Sequence, residues 1–193
     1  MGKKTVTAPL KWTTAMKLLA IMRESNELAE SRLMMALGFY TGLRISDILK
    51  LRWEDLQNPI LEMTEQKTGK TRRINFNKKL QVITQEVKSI IQPLDSNQFI
   101  FKGKRGPNRN RSLTVVGANN RIKQIFERFD IITQNPSSHT LRKTFALRVY
   151  ETNQRSEDAL ILLSEIFNHS NISITRKYIG ITQERIANVY LSI

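Results

Sequence analysis

Thr41-Gly42-Leu43-Arg44-Ile45-Ser46-Asp47 is the stretch on which the fold turns. The residues before it, from about Glu30 to Tyr40, place Leu33, Leu37 and Tyr40 on one helical face. Thr41-Gly42 stops that helix, because glycine enters the left-handed conformation of a C-terminal cap without a Cβ penalty. A short helix from Ser46 to Leu51 follows, so Arg44 stands in the corner between two helices with Asp47 three residues on. Taken alone, Arg44 is also explained as a cation at a helix C-terminus, and Asp47 as an acid in the first turn of the next helix.

Upstream, Thr13 to Glu24 carries Met16, Leu19, Ala20 and Met22 at helical spacing, with Thr13 or Thr14 suited to the N-cap. Downstream the period changes. Ile60 to Gln66 and Thr71 to Phe76 are expected to pair as a β-hairpin across Lys67-Thr68-Gly69-Lys70, with Phe99-Ile100-Phe101 as a third strand. Lys78 to Ile91 is helical again through Leu80, Ile83, Val87 and Ile90/Ile91. Further helices are expected at Leu113 to Arg128, His139 to Glu151, Ser156 to Phe167 and Thr182 to Leu191, with a short helix or turn from Asn171 to Tyr178. The pattern predicts a mainly α chain with a small antiparallel β-sheet (α+β), as one domain over residues 1–193.

Thirty-one Lys and Arg face 17 acidic residues among 193, a formal net charge of +14. In a compact fold such an excess repels itself unless a polyanion screens it, so nucleic acid is the leading partner. An anionic membrane and a merely basic protein are the alternatives. The chain has no cysteine, which excludes disulfides, thiolate catalysis and cysteine zinc sites. Met1 to Pro9 lacks the apolar stretch of a signal peptide, and runs such as Leu160 to Leu163 are far too short to span a bilayer, so no membrane partner and a cytoplasmic location are expected. Lys102 to Arg111 is a basic loop bearing Lys102, Lys104, Arg105, Arg109 and Arg111. It reads as a phosphate-contacting or simply a solvated segment.

Only two histidines occur. His139 opens His139-Thr140-Leu141-Arg142, where positions i and i+3 of a helix share a face and can grip one anion. His169 precedes Tyr178 by nine residues. Either histidine alone is equally an ordinary surface or capping residue. Tyr40 and Tyr150 fall in apolar helical patterns and are expected in the core, and Tyr190 is the one rival nucleophile to Tyr178.

Together, Thr-Gly-Leu-Arg ending at Arg44, the lysine hairpin, His139-x-x-Arg142 and His169 followed by Tyr178 resemble the tyrosine recombinase (phage-integrase) family, in order and approximate spacing, from about residue 12 to the end. The resemblance implies a DNA breaking-rejoining catalytic core. Arg44 and Arg142 would be its phosphate-binding arginines, Lys67 the hairpin lysine, His139 and His169 the two histidines, and Tyr178 the nucleophile. Asp47 matches the acidic position behind the first arginine. The family often has Leu-Gly before its second histidine, where this chain has Phe167-Asn168. Lys67 is preferred to Lys70 because it opens the Lys-Thr-Gly turn.

The implied reaction cuts and rejoins DNA through a 3′-phosphotyrosine, with no cofactor, ATP or metal. Two guanidiniums suit it, being always charged and bidentate. His139, with an unperturbed pKa of about 6.5, is placed as proton acceptor from the phenol, and Lys67 as general acid for the leaving 5′-oxygen. Lys70 and the five basic residues of the 102–111 loop are assigned to DNA contact. The expected partner is double-stranded DNA, bound by a chain that is monomeric when free and tetrameric on synapsed sites, in a bacterial cytoplasm at the nucleoid. The family's N-terminal core-binding domain is expected to be absent from residues 1–193, which read either as a fragment of a longer recombinase or as a small single-domain one. The apolar positions Ile186, Val189 and Leu191 pack either in cis or on a neighbouring protomer. The alternatives are an inactive DNA-binding protein of the same fold, a type IB topoisomerase-like enzyme, and a basic RNA-binding protein, the last disfavoured by 7% aromatic residues.

Overall fold

In a computed structural model, residues 7–64, 69, 71–103, 111–180 and 190–192 are described. Eight helices and one two-stranded sheet follow among them: α1 Trp12–Ile21, α2 Ala29–Thr41, α3 Ile45–Ile48, β1 Ile60–Thr64, β2 Thr71–Asn75, α4 Lys78–Ile91, α5 Val115–Arg128, α6 Ser138–Thr152, α7 Glu157–Phe167 and α8 Ile172–Ile179. This is the mainly helical α+β architecture expected.

Helix α2 is the axis of the molecule. The sequence suggests one apolar face, yet every residue from Ser31 to Phe39 is buried, because α1, α4 and α6 surround it. A helix enclosed on all sides reads as apolar all round. Arg32 survives there at 6% exposure by donating to the Leu19 carbonyl at 3.0 Å and to Glu86 of α4 at 2.9 Å. Gly38 lets α6 come close: a Cβ there would meet Leu141 Cβ at 2.7 Å. Gly42 ends the helix at φ 62°, as its sequence predicts.

The expected N-cap of α1 at Thr13 or Thr14 is corrected. The helix begins at Trp12 behind Lys11, whose side chain makes no cap, and ends at Ile21 in a single 3₁₀ turn. Helix α3 is shorter than expected, closing at Ile48. The third strand is also corrected. Phe99 makes one isolated bridge with Arg52, and Ile100 donates to the Leu51 carbonyl at 3.0 Å, so Phe99–Phe101 braces the corner after α3 rather than extending the hairpin. The hairpin pairs Leu61 with Ile74 and Met63 with Arg72, turning Leu61 into the core. Of the apolar positions expected on α4, Leu80, Ile83 and Val87 are buried, whereas Ile90 and Ile91 are exposed at the helix end.

The caps show why the remaining helices start where they do. Asn77, Thr114, Ser156 and Asn171 each accept a backbone N–H of the first turn of α4, α5, α7 and α8. Ser137 N donates to the Thr140 hydroxyl at the start of α6. The apolar interior falls into a large cluster around α2 and a smaller one formed by Ala146, Tyr150, Ala159, Leu160, Leu163, Phe167 and Ile179, which binds α7 and α8 to α6. Tyr150 is buried as expected, while Tyr40 is only partly so, its hydroxyl donating to Met16 Sδ at 3.0 Å. Residues 190–192 are helical, with Tyr190 and Leu191 exposed. Ile186, Val189 and most of the expected Thr182–Leu191 helix lie outside the described residues.

Candidate active site

The site sits in the seam between the two apolar clusters, where two left-handed helix stops deliver carbonyls to two arginines. The first stop is Gly42, whose carbonyl accepts from Arg142 Nη1. The second is Asn168, at φ 50° and ψ 44°, which closes α7. Just before it, the Phe167 carbonyl accepts from Arg44 Nη2 at 3.2 Å. Asparagine is the side chain that best tolerates glycine's left-handed position, so Phe167-Asn168 keeps the turn that Leu-Gly would make. Arg44 is therefore a dipole partner after all, but of α7 rather than of the helix that precedes it in sequence. Asp47 lies buried in the first turn of α3, its amide bonded to the Arg44 carbonyl at 2.9 Å.

Phe167, fully buried, is the hub of this seam. The Arg142 guanidinium lies 3.9 Å from its ring centroid. Its ring meets those of His169 at 5.4 Å and Tyr178 at 5.6 Å, both edge-on. The Tyr178 ring in turn meets His169 at 5.9 Å and His139 at 6.4 Å. Helix geometry sets His139 and Arg142 on one face of α6, and both face the same cleft. That cleft, of ≈ 600 Å³, is lined by Arg44, His139, Arg142, His169 and Tyr178 among others. Five of the six residues singled out as catalytic are thus brought together; Lys67 lies outside the described residues.

The electrostatics follow from the burial. Burial of the Tyr178 phenol raises its pKa to about 12, against the opposing pull of Arg142 and Arg44. Its hydroxyl oxygen is buried and makes no well-formed hydrogen bond, although Arg142 is near enough to favour the phenolate. His139 is solvent-accessible on one side, yet its pKa falls below the usual value through desolvation of the ring and then the charges of Arg142 and Lys143. His169 Nδ1 lies 2.8 Å from Thr175 Oγ1. A neutral imidazole beside a protonated phenol and two anchored guanidiniums can bind an anion, remove a proton and stabilise charge growing on the anion's oxygens.

Sequence reasoning missed Phe167, Thr175 and Lys143 as members of this neighbourhood. The Lys143 ammonium lies 5.3 Å from the Tyr178 ring centroid. Its only signal in the sequence is its place next to Arg142. Of the residues assigned to DNA contact, Lys102 and Arg111 are described, and neither lines the cleft. Lys102 donates to Gln98 Oε1 at 2.7 Å and Arg111 is exposed. Lys70, Lys104, Arg105 and Arg109 lie outside the described residues. Among the described residues no group of three or more His, Cys, Asp or Glu is placed to hold a metal ion. No described helix is long and apolar enough to cross a membrane.

The sequence profile of the phage integrase family matches residues 11–185. The probable integrase/recombinase YoeC of Bacillus subtilis (strain 168) is 34% identical over 154 residues, covering 79% of this chain and 78% of the relative. Tyrosine recombinase XerC of Bradyrhizobium diazoefficiens is 31% identical over 200 residues, covering 98% of this chain but 59% of its own length. The crystal structure of XerA recombinase superposes with a TM-score of 0.72 at 17% identity, over 100% of this chain and 65% of that one, a likeness of fold.

Proposed function

Because this chain belongs to the phage integrase family, the tyrosine recombinases, we propose that it cleaves and rejoins double-stranded DNA through a covalent bond between Tyr178 and a DNA 3′-phosphate. The observation that carries this reading is the convergence of Arg44, His139, Arg142, His169 and Tyr178 on one cleft. Arg44 and Arg142 grip the scissile phosphate, each guanidinium pre-aimed by a main-chain carbonyl and so needing little reorganisation as negative charge builds. His139, kept neutral by its surroundings, takes the phenol proton. The Tyr178 oxygen attacks phosphorus while the deoxyribose 5′-oxygen leaves and is protonated by Lys67. His169 donates to a non-bridging oxygen.

One P–O bond forms as another breaks, so the ester retains the energy needed to rejoin the strand, and the reverse attack by a 5′-hydroxyl regenerates Tyr178. No ATP is required by that balance. A net charge of +14 supports a DNA partner. We extend the reading to a chain that acts as a single catalytic domain, monomeric when free and tetrameric across two synapsed sites, at the bacterial nucleoid. Lys70 and the basic residues from Lys102 to Arg111 contact the backbone beyond the cleft.

A nicked duplex that loses its 5′-hydroxyl fragment after cleavage traps the intermediate. The expected result is a denaturation-resistant protein–DNA adduct that Tyr178→Phe abolishes. No adduct from the unaltered chain on any family-type site, with DNA still bound, would leave a DNA-binding protein only.

A further inference from the structure

Lys143 follows Arg142 on α6 and reaches the segment that leads into α1. Its ammonium donates to the Thr7 carbonyl at 2.8 Å and stands over the Tyr178 ring at 5.3 Å. That segment is laid against the start of α6 by a series of bonds. Ala8 N donates to the Gln134 carbonyl at 3.1 Å, Thr133 Oγ1 to the Ala8 carbonyl at 3.3 Å, and Leu10 N to the buried Thr144 hydroxyl at 2.9 Å. Lys143 is half-buried, and burial lowers its pKa.

We propose that Lys143 is a positioning residue for the nucleophile, seating the Tyr178 ring while tied to Thr7, so that the docking of the segment before α1 governs how readily the tyrosine reacts. A cation over the face of an aromatic ring is attracted to its π-electrons and fixes the ring's orientation. Among the described residues, the other charged or titratable groups facing Tyr178 are Arg44 from the corner before α3, His139 and Arg142 from α6, and His169 from the turn before α8; Arg176 of α8 is paired with Glu157. Lys143 also touches the chain ahead of α1. A signal reaching that segment therefore has a direct route to the nucleophile.

The proposal rests on the strand-cleavage reading above, and one set of measurements separates the two. Adduct formation on the nicked duplex is followed across pH for the unaltered chain, Lys143→Met, Lys143→Arg, Ala8→Pro and the Lys143→Met/Ala8→Pro pair. Ala8→Pro removes the N–H that fixes the segment without touching α6 or α8. Lys143→Met is expected to slow adduct formation on the order of 10-fold at every pH, while Lys143→Arg keeps most of the rate. Non-covalent binding of the duplex stays intact in all, which excludes misfolding. Ala8→Pro is expected to reproduce the slowing, and the pair to be no slower than Lys143→Met. An adduct that Tyr178→Phe abolishes but Lys143→Met leaves unchanged in rate overturns the role of Lys143 and spares the cleavage reading. Additive losses in the pair overturn the coupling to the segment. No adduct from the unaltered chain overturns both readings.

Discussion

The Nδ1 of His169 lies 2.8 Å from the hydroxyl of Thr175, a side chain with no exposed surface. The contact ties the His169 imidazole to the interior face of α8. Thr175→Val keeps the shape and removes the hydroxyl. Adduct formation should fall on the order of 10-fold, and Thr175→Ser should restore most of it. Equal rates for the valine and serine variants would remove Thr175 from the mechanism.

As the proposed proton acceptor, His139 should set the acidic limb. A base must be neutral to accept the phenol proton, and desolvation together with Arg142 and Lys143 lowers its pKa. The rate should therefore rise through a midpoint below about 6.5, and His139→Gln should remove that midpoint. The linkage has the same sign. The unfolded chain takes up a proton that folded His139 resists, so stability should fall as pH drops below the unfolded value. Urea melts from pH 7 to 5 on both proteins check this.

Tyr178 works at the other end of the scale. Its pKa is raised to about 12, so the unfolded phenol ionises first, near 10. The protonated form supports the fold below pH 10, and that contribution drains away between 10 and about 12. Melting temperatures of the unaltered chain should accordingly decline faster with rising pH in this window than those of Tyr178→Phe. Parallel declines would contradict the buried phenol.

Gly42 combines φ 62° with contact against the Phe145 ring, which a Cβ would penetrate. Gly42→Ala should cost about 2–3 kcal/mol of unfolding free energy. It should also slow adduct formation beyond the stability loss, since the carbonyl holding Arg142 moves. Denaturant titration and the nicked-duplex assay separate the two effects.

Asn168 makes the converse case. Its left-handed backbone predicts that Asn168→Gly is tolerated while Asn168→Ala loses about 1 kcal/mol. Unfolding in urea measures both. Phe167→Ala, emptying the hub under both histidine and tyrosine, should cost about 3–5 kcal/mol.

Reading the chain without its fold went well wherever the physics is local. Gly42 as a stop, Asn171 to Tyr178 as a short helix or turn, and His139 with Arg142 on one face each depend on a few neighbouring residues. It failed where an element's surroundings matter. Phe99–Phe101 has the composition of a strand but lies beside Leu51 and Arg52, away from the hairpin. Ile90 and Ile91 continue an apolar period past the end of the core. Thr175 and Lys143 look like ordinary helix residues until α6 and α8 are packed together.

What the sequence determined alone is which side chains are available and at what helical phase, because backbone hydrogen bonding and Cβ sterics act within a turn. Which carbonyl each arginine grips, which ring lies under Tyr178, and which strand of chain reaches Lys143 were decided only when helices distant in sequence packed. Those contacts are selected by burial and close fit among all the elements at once, and no short window of residues encodes them.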